Sequence, residues 1–299
     1  MIKVLLFFLI FFLKAYSEEY VYGNVLQLPS HIYAVVVSKS YQKMLVIKME
    51  DGYPVVADQF IAVTGLKFGD KRKQGDMRTP SGVYFATAFK PESSLPSYYG
   101  AGAFVLNYPN ALDRFVIKRD GDGIWIHGSQ KRNPLFFSSK GCVILNNSSF
   151  NALYHYIKLK KTPVVIQERF VKLPLNEFVS LKNRINSFVN RYLQALLDVY
   201  TGDTAPLLGL YSSNFSSKEG TVYDIVKSYK RLFFSYGDIP FVHAVSRTIV
   251  YDKRDNGREY FTVYLNLGFL SGDEIKTVKK VLYITVENGK LKIISEENF

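Results

Sequence analysis

The sequence predicts two domains: a mainly β domain with one short helix, followed by an α+β domain. Residues 31–63 alternate between apolar and polar side chains, as half-buried strands do. From Phe178 to Val199 the apolar residues recur at helical spacing instead, which predicts a helix of about six turns. Residues 241–294 then contain four strand-like runs, with Asp255-Asn256-Gly257 and Glu287-Asn288-Gly289 as hairpin turns.

The first 17 residues have the pattern of an export signal. Lys3 precedes an apolar run from Val4 to Leu13, and Ala15-Tyr16-Ser17 offers a cleavage site. The run is shorter than the roughly 20 residues that a membrane-spanning helix needs. We therefore expect cleavage after Ser17 and export to the periplasm or cell envelope. The alternative is an uncleaved membrane anchor.

Changes of pattern along the chain set the remaining boundaries. We expect an N-terminal segment at 18–30, the first domain at 31–168, a linker at 169–176 and the second domain at 177–299. Within the first domain the predicted elements after residue 63 are a polar, glycine-bearing loop (64–84), strands at Phe104–Leu106 and Phe115–Lys118, a helix at Phe150–Lys160 and a closing strand at Val164–Ile166.

Composition favours a folded, basic protein. Apolar residues make up 47% of the chain and aromatic residues 15%, which is ample for two cores. The formal charge is +12, and removal of Lys3 and Lys14 with the signal leaves +10. The basic residues are scattered and match no nucleic-acid-binding motif, so we expect most of them to form a solvated surface. A basic exported protein can also be drawn to an anionic wall polymer, to lipid head groups or to acidic peptides. Four histidines and one cysteine give no zinc-ligand spacing, and we expect neither metal nor cofactor.

Cys142, the only cysteine, follows His127 by 15 residues. The residues Ile124-Trp125-Ile126-His127 alternate as a strand does, which places His127 at a strand end before a Gly128-Ser129 turn. An exported chain with one cysteine cannot form an internal disulfide, so the thiol is either an intermolecular bridge or free and reactive. A cysteine held beside a histidine suits nucleophilic catalysis, because the imidazole can take the thiol proton. The alternative is that both side chains merely pack in the core.

Several separate motifs in residues 31–168 resemble the L,D-transpeptidase (YkuD) catalytic domain. They are Gly65, Lys67, Gly75-Asp76, Arg78-Thr79-Pro80, Gly82, Tyr84, Tyr108-Pro109-Asn110, Asp113, Ile126-His127-Gly128, Ser139 and Gly141-Cys142. The resemblance implies a β-sandwich-like domain in which Cys142 attacks the peptide stem of peptidoglycan and His127 is the base. It also implies that the carbonyl of Gly128 orients the His127 ring, and that backbone N–H groups of Gly141 and Cys142 form the oxyanion hole.

The same resemblance places Ser139, Lys140, Arg78 and Tyr108 along a substrate groove. The chain departs from the usual family pattern at two positions: Lys140 stands where most members have histidine, and Ile144 where most have arginine. Both changes bear on how the substrate's carboxylates are held. Lys140 is two residues from Cys142, which suggests that its charge stabilises the thiolate; the alternative is a lysine that points into solvent.

The second domain resembles the NTF2-like cone in pattern, with helices first and a curved antiparallel sheet after. His243, Tyr251, Tyr260 and Tyr264 are candidates to line a pocket for a small ligand or partner, although an aromatic stripe of this kind also suits a core. A YkuD domain followed by an NTF2-like domain is similar to the L,D-carboxypeptidases that set cell shape in helical and curved bacteria.

We therefore expect an exported cysteine acyl-transferase that cleaves the diaminopimelate–D-alanine bond of tetrapeptide stems through a thioester. Transfer to an amine makes it an L,D-transpeptidase, and transfer to water makes it an L,D-carboxypeptidase. Two alternatives remain: a catalytically inactive wall-binding scaffold, and an extracytoplasmic thioesterase or cysteine protease. The sequence gives no indication of oligomeric state.

Overall fold

The computed structural model describes residues 19–132, 134–236, 242–254, 256–271 and 274–299. The predicted export signal at 1–17 lies outside these residues. Within them, no helix has both the length and the apolar character needed to cross a membrane.

Fifteen strands are present in the described residues. Those up to residue 144 are β1 (Tyr20–Tyr22), β2 (Val25–Gln27), β3 (Ala34–Ser38), β4 (Lys43–Glu50), β5 (Tyr53–Ile61), β6 (Gly82–Pro91), β7 (Gly102–Leu106), β8 (Trp125–His127) and β9 (Val143–Ile144). The others are β10 (Pro163–Gln167), β11 (Lys172–Pro174), β12 (Val242–Lys253), β13 (Glu259–Ser271), β14 (Glu274–Glu287) and β15 (Lys290–Asn298).

Four α-helices accompany them: α1 (Asn147–Tyr154), α2 (Leu175–Tyr200), α3 (Ala205–Leu208) and α4 (Val222–Tyr236). The long amphipathic helix and the four C-terminal strands agree with the sequence pattern, and the predicted fold class is confirmed. α1 begins three residues earlier than predicted, because the side-chain oxygen of Asn146 accepts the N–H of Ser149 at 2.8 Å and caps the helix there.

The first domain is built on an eight-stranded sheet with the order β5-β4-β3-β10-β6-β7-β8-β9. The pairs β3/β10 and β8/β9 are parallel, and the other neighbours are antiparallel. Every residue of β3 is buried, because both faces of the sheet are covered. One face carries the domain's own core, and the other packs against Val25 and Val250 from strands of the second sheet.

The second sheet has the order β15-β14-β13-β12-β2 and is antiparallel throughout. Helices α2 and α4 cover its apolar face. Its edge strand β2 comes from the N-terminal segment, and β1 of the same segment pairs with β11. The segment before the first domain is therefore part of the framework that joins the two domains.

The strand predicted at Phe115–Lys118 is wrong. Residues 112–117 form a wide helical turn instead. The side chains of Asn110 and Asp113 exchange hydrogen bonds with each other's backbone N–H at 2.9 and 3.3 Å, which fixes a turn, and Asp113 pairs with the buried Arg119 at 2.9 Å. These polar contacts outweigh the short apolar run that predicted a strand.

Candidate active site

His127 is the last residue of β8 and only 6% of it is exposed. Its Nδ1 lies 2.7 Å from the carbonyl oxygen of Gly128. A carbonyl oxygen can only accept a hydrogen bond, so Nδ1 carries the hydrogen and Nε2 keeps its lone pair. Burial lowers the pKa of His127, and the bond to Gly128 opposes that shift. The ring is therefore a neutral base at neutral pH.

The ring of Tyr99 packs against His127. The two ring centres are 4.9 Å apart in an edge-to-face arrangement, and the Tyr99 ring also lies 5.0 Å from that of Trp125. Burial, the hydrogen bond with Tyr98 and the nearby ionisable groups of Tyr98 and Cys142 together raise the pKa of Tyr99 to about 12. Tyr99 thus lies near both His127 and Cys142. The sequence around Tyr99 did not predict this position.

Cys142 immediately precedes β9, which lies parallel to β8. His127 is paired with Ile144, and Ile126 with Val143, so Cys142 extends the register opposite Trp125. Residues two apart in a strand project to the same face, which puts Cys142 and Ile144 on the face of His127. The half-buried thiol lies 3.5 Å from the carbonyl oxygen of Gly123, to which it donates.

Burial raises the pKa of the Cys142 thiol. A backbone N–H from Trp125 and the positive charge of Lys71 act in the opposite direction. In the resting protein both groups are therefore neutral, a thiol on the same sheet face as a neutral imidazole. Such a pair needs the proton to move from sulfur to nitrogen as the substrate is attacked.

Ser139 and Gly141 shape the turn that presents Cys142. The Ser139 hydroxyl donates to the carbonyl of Cys142 at 2.6 Å and accepts the N–H of Gly141 at 3.0 Å. Gly141 has φ +131°, and a Cβ there would lie 2.9 Å from the carbonyl oxygen of Arg78, so only glycine fits this turn. Of the two predicted oxyanion donors, the Gly141 N–H is thus bound to Ser139 in this structure.

Asn147, at the start of α1, holds the loops on either side of His127. Its side-chain oxygen accepts the N–H of Ala101 at 2.9 Å, and its own N–H donates to Ser129 at 3.1 Å. A Cβ on Gly128 would lie 2.7 Å from the same oxygen, so Gly128, whose carbonyl orients His127, is closely packed against Asn147. Asn147 was not among the predicted site residues, because its contacts reach 46 positions along the chain.

The predicted groove residues occupy different environments. Arg78 is half-buried beside Gly141, and its buried Nε has no acceptor within the described residues. Lys140 is exposed, and the cation that lowers the thiol pKa is Lys71 instead. Tyr108 is a core residue, 5% exposed, whose hydroxyl donates to the carbonyl of Asp120 at 3.1 Å. The structure therefore brings Arg78 to the Cys142 turn and leaves Tyr108 in the core.

Lys71 is held in place by Asp76. Its ammonium lies 2.7 Å from the Asp76 carboxylate, and its side chain is 3% exposed. Burial would raise the pKa of Asp76, but backbone N–H groups of Arg72, Lys73 and Arg78, together with Lys71, lower the pKa to about 2. The carboxylate therefore stays charged at neutral pH and fixes the ammonium that acts on Cys142.

Family models match both domains of the chain. Residues 32–166 match the model of the L,D-transpeptidase catalytic domain, YkuD. Residues 198–297 match the model of the Cds6 C-terminal NTF2-like domain. A search of the curated proteins gave no match.

Solved structures with the same two-domain layout are similar over nearly their whole length. Bd1075 of Bdellovibrio bacteriovorus is 25% identical, with a TM-score of 0.75 over 94% of this chain and 98% of that one. Pgp2 of Campylobacter jejuni, a helical cell shape determining protein, is 22% identical, with a TM-score of 0.70 over 93% of this chain and 95% of that one. At this identity the likeness to Pgp2 is one of fold.

Proposed function

Because the chain combines an L,D-transpeptidase (YkuD) catalytic domain with a C-terminal NTF2-like domain, we propose that it is an exported cysteine enzyme acting on peptidoglycan peptide stems. The observation that carries the proposal is the neutral His127 ring, held at Nδ1 by the Gly128 carbonyl at 2.7 Å, on the face that Cys142 shares. Pgp2 is a helical cell shape determining protein, which suggests the same biological setting here.

In the proposed first step, Nε2 of His127 accepts the proton of the Cys142 thiol. The sulfur attacks the carbonyl carbon of the diaminopimelate–D-alanine bond, and the carbonyl oxygen becomes an oxyanion. The backbone N–H of Cys142 is the proposed donor to this oxyanion. The N–H of Gly141 donates to the Ser139 hydroxyl at 3.0 Å. It can serve as a second donor to the oxyanion only if it gives up that hydrogen bond.

The second step breaks the carbon–nitrogen bond. His127, now protonated, gives its proton to the amine of the departing D-alanine, which leaves a thioester on Cys142. Water or an amine of another stem then attacks the thioester carbonyl, with His127 again taking the proton of the attacking group. Attack by water gives a tripeptide stem, and attack by an amine gives a cross-link.

Product mass tests the proposal and distinguishes the two acceptors. The purified protein is incubated with a disaccharide tetrapeptide, and the products are analysed by mass spectrometry. A disaccharide tripeptide with free D-alanine indicates hydrolysis, and a cross-linked dimer indicates transpeptidation. Unchanged tetrapeptide, together with a thiol no more reactive than free cysteine, would favour an inactive wall-binding scaffold.

A further inference from the structure

A cavity of about 530 Å³ lies where the two domains meet, and its walls include neither Cys142 nor His127. The first domain contributes the loop at Asp70–Arg72, the segment at Ile117–Arg119 and the end of β10. The second domain contributes residues of the turn between β12 and β13. The cavity is thus bounded by parts of both domains and is separate from the candidate active site.

The cavity wall is strongly basic. Seven of its described side chains are lysine or arginine, and two, Asp70 and Glu168, are acidic. Four of the seven are exposed and form no ion pair within the described part of the chain: Arg72, Lys118, Lys253 and Arg258. Cations brought together in a concave site raise the local concentration of anions. The charge of this wall therefore favours an anionic ligand.

Two buried side chains in the wall have unused hydrogen-bonding atoms. Arg254 is 9% exposed; its Nε donates to Asp252 at 2.5 Å and its Nη1 to Asp70 at 3.3 Å, but its Nη2 has no acceptor among the described residues. Gln167 is 2% exposed, and neither atom of its amide has a partner there. Buried donors of this kind are costly unless a ligand or water meets them.

We propose that this cavity is a binding site for an oxyanion, a phosphate or carboxylate group, held jointly by the two domains. The exposed cations supply charge from the rim. Nη2 of Arg254 and the amide nitrogen of Gln167 are covered in this structure and are the proposed buried donors once the ligand is bound. A guanidinium suits this role because its planar N–H groups match the spacing of oxyanion oxygens. The cavity is large enough for the anion to be part of a bigger molecule.

The site bears on the loop that carries Lys71. The Asp70 carboxylate accepts hydrogen bonds from Arg119 of the first domain and from Arg254 of the second. Lys71 is the next residue in the chain. A ligand that engages Arg254 and the basic rim at the same time would hold the two domains and this loop together. Binding should therefore stabilise the whole chain against unfolding.

The test is a binding titration on the full-length mature chain carrying Cys142→Ala, so that no turnover occurs and catalysis is not required. Inorganic phosphate, acetate and a disaccharide tetrapeptide are titrated separately at constant ionic strength, by calorimetry and by thermal unfolding. The variant Lys253→Gln/Arg258→Gln removes two exposed cations of the rim. Its matched control, Lys230→Gln/Arg231→Gln, removes the same charges from exposed positions of α4 that are not in the cavity wall.

The proposal expects at least one ligand to bind, with the affinity reduced about tenfold or more by the rim variant and unchanged by the control. A third variant, Arg254→Lys, keeps the charge but loses Nη2, and should also weaken binding. If phosphate alone binds, the site takes a phosphate group; if acetate binds, or if the tetrapeptide binds and the rim variant weakens that binding, it takes a carboxylate. No binding by any ligand, or equal losses in the rim and control variants, would overturn the proposal.

Discussion

Nδ1 of His127 lies 2.7 Å from the carbonyl oxygen of the next residue, Gly128. In the proposed triad this main-chain oxygen fills the place that a carboxylate takes in other triads: it fixes the tautomer and orients Nε2. It does so without a full negative charge: its hydrogen bond raises the pKa of the imidazole, but burial has the larger effect and lowers it, so the ring stays neutral. The position of this carbonyl depends on the packing of Asn147 against Gly128.

The state of His127 predicts the acid limb of the pH profile. Burial lowers its pKa from the ordinary value of 6.5, so the ring stays neutral, and able to act as base, below pH 6.5. The acid limb of kcat/KM for tetrapeptide cleavage should therefore have its midpoint below 6.5. In His155→Gln, which removes an exposed histidine outside the site, the midpoint should not move. A midpoint above 6.5 in the parent enzyme contradicts this account of His127.

The charge of Lys71 should set part of the thiol reactivity. Lys71→Met removes a cation that lowers the pKa of Cys142, so the thiol pKa should rise. The rate of alkylation by iodoacetamide, followed against pH, measures this shift. Lys71→Arg keeps the charge and should restore most of the effect. Lys140→Met removes an exposed lysine and serves as the control; a larger shift in this variant than in Lys71→Met would instead support the sequence-based role of Lys140.

Asn147 should act as a positioning residue. Asn147→Ala leaves the N–H of Ala101 without its acceptor, at a cost of about 1–3 kcal/mol of stability, and loosens the Gly128 carbonyl. We expect kcat to fall about tenfold or more with little change in KM, because the His127 ring is misoriented while the contacts that bind the substrate remain. Asn147→Asp keeps an acceptor oxygen and should recover part of kcat.

The control is Asn151→Ala, which removes an exposed asparagine from the same helix. A purely structural role for Asn147 would lower the unfolding temperature and leave kcat at the parent value in the folded protein. That outcome would remove Asn147 from the account of the site.

The backbone of Gly141 should tolerate no side chain. In Gly141→Ala the Cβ meets the carbonyl oxygen of Arg78 at 2.9 Å and the backbone is held at φ +131°, so both a clash and strain are expected. Gly75→Ala is the matched control, since Gly75 has φ +73° and open space around its Cβ position. Thermal unfolding should show a loss of about 1–2 kcal/mol for the control and a larger loss for Gly141→Ala. Equal losses would mean that the turn before Cys142 can relax.

The local features of the site could be predicted from the sequence because they depend on neighbouring residues. The alternation before His127 predicts the strand end, and Gly141 predicts a tight turn before Cys142. In the same way, the helical spacing of apolar residues predicts the long helix, and the turn residues predict the C-terminal hairpins. The strand predicted at Phe115–Lys118 failed because side-chain hydrogen bonds of Asn110 and Asp113 decide that segment.

The long-range features could not be predicted. Lys71 lowers the pKa of Cys142 although it lies 71 positions upstream in the sequence. Lys140 is far nearer in sequence, and only the fold shows which of the two lysines acts on the thiol. Tyr99 reaches His127 across a loop, and Asn147 reaches Ala101 from the next helix. The basic cavity is composed of residues from both domains, so no single stretch of sequence contains its pattern.

The most direct test of the account is release of D-alanine from a disaccharide tetrapeptide by the parent enzyme and by Cys142→Ala under the same conditions. We expect steady release by the parent and a covalent adduct on Cys142 in the intact-protein mass spectrum. In Cys142→Ala the release rate should fall by at least about 10³-fold. Undiminished release by a correctly folded Cys142→Ala would contradict the account.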